Sequence, residues 1–124
     1  MIKVVAALIE KNGKVLIAKR STGNSELKGK WEFPGGKVEV GETEKHAIER
    51  EIKEEFDVLI KANKFISNVK QNCSDKQIDL RLYSCKYIEG EFKLNDHSEY
   101  RWVNKDELLN YDLAPLDICL VKML

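Results

Sequence analysis

The sequence predicts a single-domain α/β protein in which a mixed β-sheet is sandwiched between helices. Short runs rich in β-branched and aromatic residues recur along the chain. One long amphipathic helix interrupts these runs in the middle, and a second helix follows them near the end. Because this order of elements is typical of helices packed on both faces of a sheet, we expect an α/β sandwich that residues 1–124 form as one domain.

Composition argues against several classes of protein. Hydrophobic residues make up 43% of the chain and charged residues 34%, a balance typical of a globular domain. The formal net charge is zero, which does not favour binding of a nucleic-acid polymer. The apolar run Met1–Ile9 is too short to span a membrane and does not lead into a signal-peptide cleavage site. We therefore expect a cytoplasmic protein, without a membrane partner, that is a monomer or a weak homodimer.

The three cysteines are widely spaced and form no C-x-x-C pair, which argues against a zinc or redox site. In a reducing cytosol we expect Cys73, Cys85 and Cys119 to be buried or half-buried free thiols.

Runs of β-forming residues bounded by turn-forming residues predict the strands. Asn12 and Gly13 separate the first two runs, and the pair favours a tight hairpin because both residues accept positive φ. Residues 21–30 are polar and predict a loop, and Pro34-Gly35-Gly36 is expected to break the third strand. The expected strands are Lys3–Ile9, Lys14–Lys19, Trp31–Phe33, Phe65–Lys70, Ile78–Ile88 and Tyr100–Val103, with a further short strand at Phe92.

The spacing of apolar side chains predicts a long helix from Thr43 to Phe56. Ile48, Ile52 and Phe56 recur every fourth residue and form one apolar stripe. Thr43 or Glu42 is suited to cap its start. The two helices expected after the strands are a short one over Asp106–Leu109, capped by Asn104, and a last one over Pro115–Met123, with proline in its first turn.

Three acidic residues crowd one edge of the long helix. Glu51, Glu54 and Glu55 are spaced i, i+3 and i+4, so they fall within an arc of roughly 100° beside the apolar stripe. Their mutual repulsion is offset either by neighbouring basic residues, as on an ordinary solvated face, or by a divalent cation. The Gly35-Gly36 turn and the nearby Glu42 favour the cation, because glycine lets the backbone approach a ligand closely.

Residues 36–58 resemble the Nudix box, G-x5-E-x7-R-E-U-x-E-E-x-G-U, in which U is a bulky aliphatic residue. Every fixed position matches except one, because Asp57 stands where the family usually has glycine. That position follows the helix, where a left-handed residue commonly ends it, and aspartate tolerates this conformation at a cost of about 1 kcal/mol. The segments Trp31–Glu39 and Leu113–Asp117 also resemble MutT-like proteins and the related CTP pyrophosphohydrolases.

The resemblance implies a Nudix fold and an enzyme that uses Mg²⁺, with Mn²⁺ as the other candidate metal. It implies attack of a metal-activated water on a nucleoside triphosphate, with release of a nucleoside monophosphate and pyrophosphate. The expected substrate is 8-oxo-dGTP, in sanitation of the nucleotide pool. The alternatives are CTP or a modified dCTP as substrate, or a nucleotide-sensing module without catalysis.

The resemblance also assigns roles to individual residues. The implied metal ligands are Glu51, Glu54, Glu55 and the carbonyl of Gly35. The implied catalytic residues are Glu51, Glu54, Arg50, Glu42 and Asp96. Arg50 would orient a catalytic glutamate, and Glu42 would support the loop. Asp96 would supply a further acid, with Glu99 as the alternative for that role. The candidate substrate contacts are Arg20 and Lys37 at the phosphates and Phe33 and Asp117 at the base.

MutT proteins usually carry asparagine at the position of Asp117, so the resemblance does not define which nucleobase this residue would contact. An ionised carboxylate accepts hydrogen bonds but does not donate them, which suits an amino group on cytosine or guanine, whereas a protonated one suits an oxidised purine. His46 is expected to face solvent and His97 to be structural, and we expect neither to take part in catalysis.

Overall fold

The computed structural model describes residues 1–21, 27–73 and 75–124 and confirms the sandwich. The described residues form seven strands and three helices. The strands are β1 Ile2–Lys11, β2 Lys14–Arg20, β3 Trp31–Glu32, β4 Gly35–Lys37, β5 Leu59–Cys73, β6 Lys76–Glu89 and β7 His97–Val103. The helices are α1 Glu44–Phe56, a 3-10 helix over Lys105–Asn110 and α2 Pro115–Lys122. Residues 22–26 of the expected loop lie outside the described residues.

The sheet is mixed, as the sequence predicts. Its main path has the order β3-β2-β1-β6-β5, with β4 added beside β1 and β7 beside β2. β1 and β6 are parallel along β1 from Ile2 to Glu10, whereas the other pairs are antiparallel. The expected hairpin between β1 and β2 turns at Asn12 and Gly13, whose φ angles are 53° and 76°.

The sheet separates two apolar clusters, because successive side chains of a strand point to opposite faces. The α1-side cluster packs the helix stripe against β1, β5 and β6. The α2-side cluster packs Leu120 and Val121 of α2 against the other face. The predicted stripe of Ile48, Ile52 and Phe56 is confirmed, since all three residues are fully buried. Each such side chain contributes about 1.5–3 kcal/mol relative to an exposed one, so α1 is firmly seated on the sheet.

The start of α1 is fixed to the sheet by its first residues. Thr43 is the N-cap, and its Oγ1 accepts a hydrogen bond from the backbone N–H of His46 at 3.1 Å. Glu44 Oε1 accepts hydrogen bonds from Arg81 Nε and Tyr83 Oη on β6, each at 2.6 Å. The helix that carries the acids therefore begins at a defined point above β6. The side chain of His46, in the same turn, faces solvent, as expected.

The end of α1 lies at Asp57, which adopts the left-handed conformation expected there, with φ 57° and ψ 39°. Its backbone N–H donates to the carbonyl of Lys53 at 2.9 Å. Its carboxylate pairs with Lys53 Nζ at 2.8 Å and Lys93 Nζ at 3.3 Å, and these ammonium groups lower the pKa of Asp57. Aspartate thus ends the helix where the family usually has glycine, and it adds two exposed ion pairs.

The third strand ends before Pro34-Gly35-Gly36, as expected, but other expectations about the strands are wrong. The sequence did not predict β4, which Gly35–Lys37 form by pairing with β1. Phe92 lies outside the strands that the structure describes and packs on the α1-side cluster, where its ring meets that of Phe56. β5 extends well beyond Phe65–Lys70, because bulges let it follow β6 along nearly its whole length.

Two expectations about single side chains are also wrong. Asn104 occupies the N-cap position of the 3-10 helix, but its side chain donates to Glu107 Oε1 at 2.6 Å instead of capping the helix. Cys85 is a buried free thiol, as expected, whereas Cys119 is exposed on α2, because it lies on the face of this helix that points away from the sheet. In the described part of the chain, neither α-helix has the length and apolar character needed to cross a membrane.

Candidate active site

Arg50 lies at the centre of the predicted site and binds both the loop that precedes α1 and the acids of the helix. Its Nε and Nη2 donate to Glu42 Oε2 and Oε1 at 2.7 and 2.9 Å, a two-pronged pair. Nη2 also donates to the carbonyl of Lys37 at 3.1 Å. Nη1 donates to Glu51 Oε1 at 3.0 Å and Glu54 Oε2 at 3.3 Å. One guanidinium therefore fixes the loop relative to two of the three acids.

Glu42 is held on two sides. Beyond the pair with Arg50, its Oε1 accepts a hydrogen bond from the backbone N–H of Glu39 at 3.1 Å. These donors lower the pKa of Glu42 to about 2, with Arg50 the largest cause. The carboxylates in turn raise the pKa of Arg50 above its already high usual value. The pair therefore stays ionised across the physiological range, which is what the expected supporting roles of Glu42 and Arg50 require.

The three glutamates share one edge of the helix but not one environment. The side chain of Glu54 is 61% exposed and that of Glu51 is 19% exposed, whereas Glu55 as a residue is only 8% exposed. Burial, followed by the charges of Glu51 and Glu32, raises the pKa of Glu55 to about 9. Burial likewise raises the pKa of Glu51. The edge therefore runs from the exposed carboxylate of Glu54 to the buried carboxylate of Glu55.

The oxygen donors of the site suit a divalent cation, although in the structure the described side chains are not arranged around a common point. In the described part of the chain, no three His, Cys, Asp or Glu side chains are arranged to hold a metal ion, and Arg50 Nη1 binds oxygens of both Glu51 and Glu54. Within the same residues, Glu55 Oε2 is buried and lacks a hydrogen-bond partner. A cation held by the three glutamates and the carbonyl of Gly35 would satisfy that oxygen and offset the repulsion.

Gly35 and Gly36 lie where β4 passes between β1 and α1. A Cβ on Gly36 would lie 2.3 Å from Cδ of Glu51, and a Cβ on Gly35 would lie 1.9 Å from the carbonyl oxygen of Val5. Real Cβ atoms are essentially never found at such distances, so a side chain at Gly36 would displace the Glu51 carboxyl group and one at Gly35 would displace the backbone of β1. The absence of these side chains lets the Glu51 carboxylate lie directly against the backbone of β4, next to the predicted carbonyl ligand.

Glu32 on β3 connects residues that the sequence does not relate to one another. Its Oε1 pairs with Arg20 Nη2 at 2.9 Å, and its Oε2 lies 3.0 Å from His97 Nε2. Its charge contributes to the raised pKa of both Glu55 and Asp117. Arg20, a predicted phosphate contact, is therefore already paired with a carboxylate. Sequence reasoning missed Glu32 because a lone glutamate in a two-residue strand carries no signal of its own.

The loop before β7 carries the predicted further acid. The charge of Asp96 helps to raise the pKa of Glu55, so the two carboxylates lie within electrostatic reach of each other. Glu99, the alternative, pairs instead with Arg101 Nε at 2.8 Å. Arg101 in turn lies over the ring of Trp31, which belongs to the α2-side cluster. Of the two candidates, the structure brings Asp96 toward the acids of α1.

The predicted base contacts meet on the other face of the sheet. Asp117 Oδ2, in the first turn of α2, accepts a hydrogen bond from the backbone N–H of Phe33 at 2.8 Å. Both residues are buried, so most of the Phe33 ring is covered by the α2-side cluster. Burial raises the pKa of Asp117 to about 7. Lys37, the remaining phosphate candidate, is exposed on β4 and contacts Arg50 through its carbonyl.

Replacement of Asp117 by asparagine is expected to change how stability depends on pH. The carboxyl has a usual pKa of 3.8 and a pKa of about 7 in the folded protein, so the stabilisation from its proton is complete below about pH 4 and is lost as pH rises through 7. The free energy of unfolding of wild type minus that of Asp117→Asn should fall by about 2–3 kcal/mol between pH 5 and pH 8 in urea denaturation. Glu55 titrates in both proteins, so its contribution cancels in the difference. If the unfolding free energies of the two proteins ran parallel from pH 5 to pH 8, the prediction would be contradicted.

Comparison with known proteins agrees with the geometry. A family model described as NUDIX domain matches residues 4–123. The CTP pyrophosphohydrolase of Escherichia coli K12 is 36% identical over 122 residues, which cover 98% of this chain and 90% of that protein. A Mycobacterium tuberculosis protein named provisionally as 8-oxo-dGTP diphosphatase 2 is 36% identical over 115 residues, which cover 92% of this chain and 81% of that protein.

A solved structure shows the same likeness. The crystal structure of the MutT protein from Methanosarcina mazei Go1 superposes with a TM-score of 0.85 at 28% identity, covering 98% of this chain and 90% of that one. Nudix hydrolases generally use divalent metal ions, which agrees with the crowded carboxylates of α1. Since the family match spans nearly the whole sequence and includes all of α1, this chain belongs to the Nudix hydrolases and is similar to their MutT-like members.

Proposed function

We propose that this chain is a Mg²⁺-dependent nucleoside triphosphate pyrophosphohydrolase that cleaves between the α and β phosphates and releases a nucleoside monophosphate and pyrophosphate. The observation that carries the proposal is the set of contacts at Arg50, which holds Glu42 on one side and Glu51 and Glu54 on the other. A divalent cation at these acids would lower the pKa of a water molecule and neutralise phosphate charge.

Each residue of the site has a defined task in this proposal. Arg50 sets the direction of the Glu51 and Glu54 carboxylates before the substrate binds, which lowers the cost of ordering them during the reaction. Glu54 is the most exposed of the three acids of α1 and accepts a proton from the attacking water. Asp96, in the loop before β7, supplies a further carboxylate within electrostatic reach of Glu55. Gly36 leaves the space that Glu51 needs.

The proposed substrate is 8-oxo-dGTP, hydrolysed in the cytoplasm to cleanse the nucleotide pool. With a pKa of about 7, Asp117 is present in protonated and ionised forms near neutrality. The protonated form donates a hydrogen bond, which suits an oxidised purine edge, and the ionised form only accepts. The relative named 8-oxo-dGTP diphosphatase supports this substrate. The CTP pyrophosphohydrolase, which is also 36% identical and covers 98% of this chain, supports CTP or a modified dCTP as the alternative.

The reaction itself is tested by Mg²⁺-dependent release of pyrophosphate from a panel of 8-oxo-dGTP, dGTP, CTP and 5-methyl-dCTP. We expect wild type to release pyrophosphate and Glu54→Gln to lose more than about tenfold in kcat, because an amide does not accept the proton. Glu89→Gln, at an exposed position at the end of β6, serves as the matched control and should behave as wild type. If wild type binds these nucleotides without releasing pyrophosphate, the chain is a nucleotide-sensing module.

The base preference is tested separately with Asp117→Asn. We expect this change to alter the order of kcat/KM values across the same four substrates, because asparagine always offers both a donor and an acceptor. An unchanged order would remove Asp117 from base recognition and leave it the structural role of accepting the Phe33 N–H.

A further inference from the structure

The loop before β7 is docked on the last turn of α1, and both neighbours of Asp96 make the contact. Asn95 Nδ2 donates to the carbonyl of Glu54 at 2.9 Å. The ring of His97 stacks on that of Phe56, with centroids 5.2 Å apart and ring planes 13° apart. Residues 95 and 97 therefore lie against residues 54 and 56. The backbone of Asp96, which joins the first two, therefore lies beside the last turn of α1.

Between the two contacted residues of α1 lies Glu55, the buried acid with an oxygen that lacks a partner among the described residues. The electrostatic influence of Asp96 on Glu55 agrees with the docked register. An aspartate side chain is short and has few rotamers, so the location of its carboxylate depends mainly on the backbone that carries it. A loop fixed on both sides of Asp96 therefore fixes the carboxylate as well.

The backbone of this loop is held from the sheet side too. The carbonyl of Asp96 accepts hydrogen bonds from the N–H and the Oγ of Ser21, at 3.3 and 3.0 Å. The side chain of His97 is only 2% exposed, and its Nε2 lies 3.0 Å from Glu32 Oε2. The loop is thus bonded to the residue that follows β2, to β3 and to α1, although Asn95 and Asp96 are exposed.

We propose that Asn95 and His97 are positioning residues, which hold Asp96 in register with Glu55 so that carboxylates from the loop before β7 and from α1 face the same reacting phosphate. The proposal rests on the proposed function, in which Asp96 supplies the second acid. It assigns a purpose to the polar contact of an exposed asparagine with a helix carbonyl and to a buried histidine that the reaction does not otherwise use.

Asn95→Ala removes the contact with the helix without disturbing the core. We expect kcat for nucleoside triphosphate hydrolysis to fall about tenfold, with KM within about twofold of wild type, because a small misplacement of a reacting group is costly while substrate contacts persist. The melting temperature should stay within about 2 °C. The matched control is Asn104→Ala, another exposed asparagine whose side chain donates one hydrogen bond, to Glu107 on the 3-10 helix.

A double-mutant cycle separates positioning from a purely structural role. If Asn95 acts through Asp96, then Asn95→Ala should lower kcat no further in an Asp96→Asn background. His97→Gln, which keeps a donor for Glu32 but loses the ring stacked on Phe56, should behave in the same way. Effects that multiply in either double mutant would overturn the proposal, since the residue would then act independently of Asp96.

Hydrogen exchange of the metal-free protein provides a measurement that does not depend on activity. Asn95→Ala should speed amide exchange over residues 94–98 about tenfold, because the loop then opens more often, whereas Asn104→Ala should not. Unchanged exchange would overturn the docking. If Asp96→Asn leaves kcat unchanged, the positioning role is wrong while the pyrophosphohydrolase remains. If wild type hydrolyses none of the nucleotides, the proposed function fails, and exchange still decides whether the loop is docked.

Discussion

Arg50→Lys is expected to lower kcat for nucleoside triphosphate hydrolysis by about 100-fold or more. The guanidinium of Arg50 binds both oxygens of Glu42 and reaches Lys37, Glu51 and Glu54 with its remaining N–H groups. An ammonium is a compact charge without the planar fork, so lysine keeps the charge but not the set of contacts. Glu51 and Glu54 would then turn away from each other, and their geometry for catalysis would be lost.

Steady-state kinetics with pyrophosphate detection measures this effect, and thermal unfolding shows how much of it is structural. The matched control is Arg101→Lys. Arg101 also pairs with a glutamate, Glu99, but its guanidinium lies over the ring of Trp31 and not among the acids of α1. We expect the control to retain wild-type kcat. An Arg50→Lys enzyme within about threefold of wild type would show that charge alone suffices and that the fork does not organise the acids.

Gly36→Ala is expected to reduce activity about 100-fold while the protein still folds. The new Cβ would lie 2.3 to 2.6 Å from three atoms of the Glu51 carboxyl group. These atoms belong to the far end of a side chain, which moves away more easily than backbone does. The fold therefore survives, but Glu51 is displaced from its place between β4 and Arg50, and the acids of α1 no longer share one geometry.

The adjacent glycine offers the contrasting case. In Gly35→Ala the new Cβ would meet the backbone of Val5 and Ala6, at 1.9 Å from the nearest oxygen. Because β1 is at the centre of the sheet, we expect a melting temperature at least about 10 °C lower, or failure to fold. Circular dichroism and kinetics on the two variants together test the assignment. A fully active Gly36→Ala enzyme would show that Glu51 does not need its observed position.

The sequence predicts best what depends on neighbours along the chain. The apolar stripe of α1, the hairpin at Asn12 and Gly13 and the left-handed end at Asp57 are local features, and the structure confirms all three. β4 escaped prediction because its glycines carry no strand signal and its pairing partner is β1, about 30 residues earlier in the chain. The pairing energy comes from tertiary structure rather than from residue preference.

The site shows the same division. Spacing alone put Glu51, Glu54 and Glu55 on one edge of a helix, but it did not distinguish the exposed Glu54 from the buried Glu55. That difference depends on which side of the arc faces the sheet. The contact of Glu32 with His97 joins residues 65 positions apart, and no periodicity reports such a pair. Long-range polar contacts therefore had to come from the structure.

The parallel pairing of β1 with β6 has a consequence for the order in which the chain folds. Ile2 pairs with Ile78 and Glu10 with Lys86, so the centre of the sheet closes only after β6 has been synthesised. Contacts of such long range slow folding. Until β6 arrives, β1 presents an unpaired edge, and the helix that bears the acids lacks the surface on which Glu44 is anchored. During translation, the Nudix box is therefore complete as sequence well before it is complete as a site.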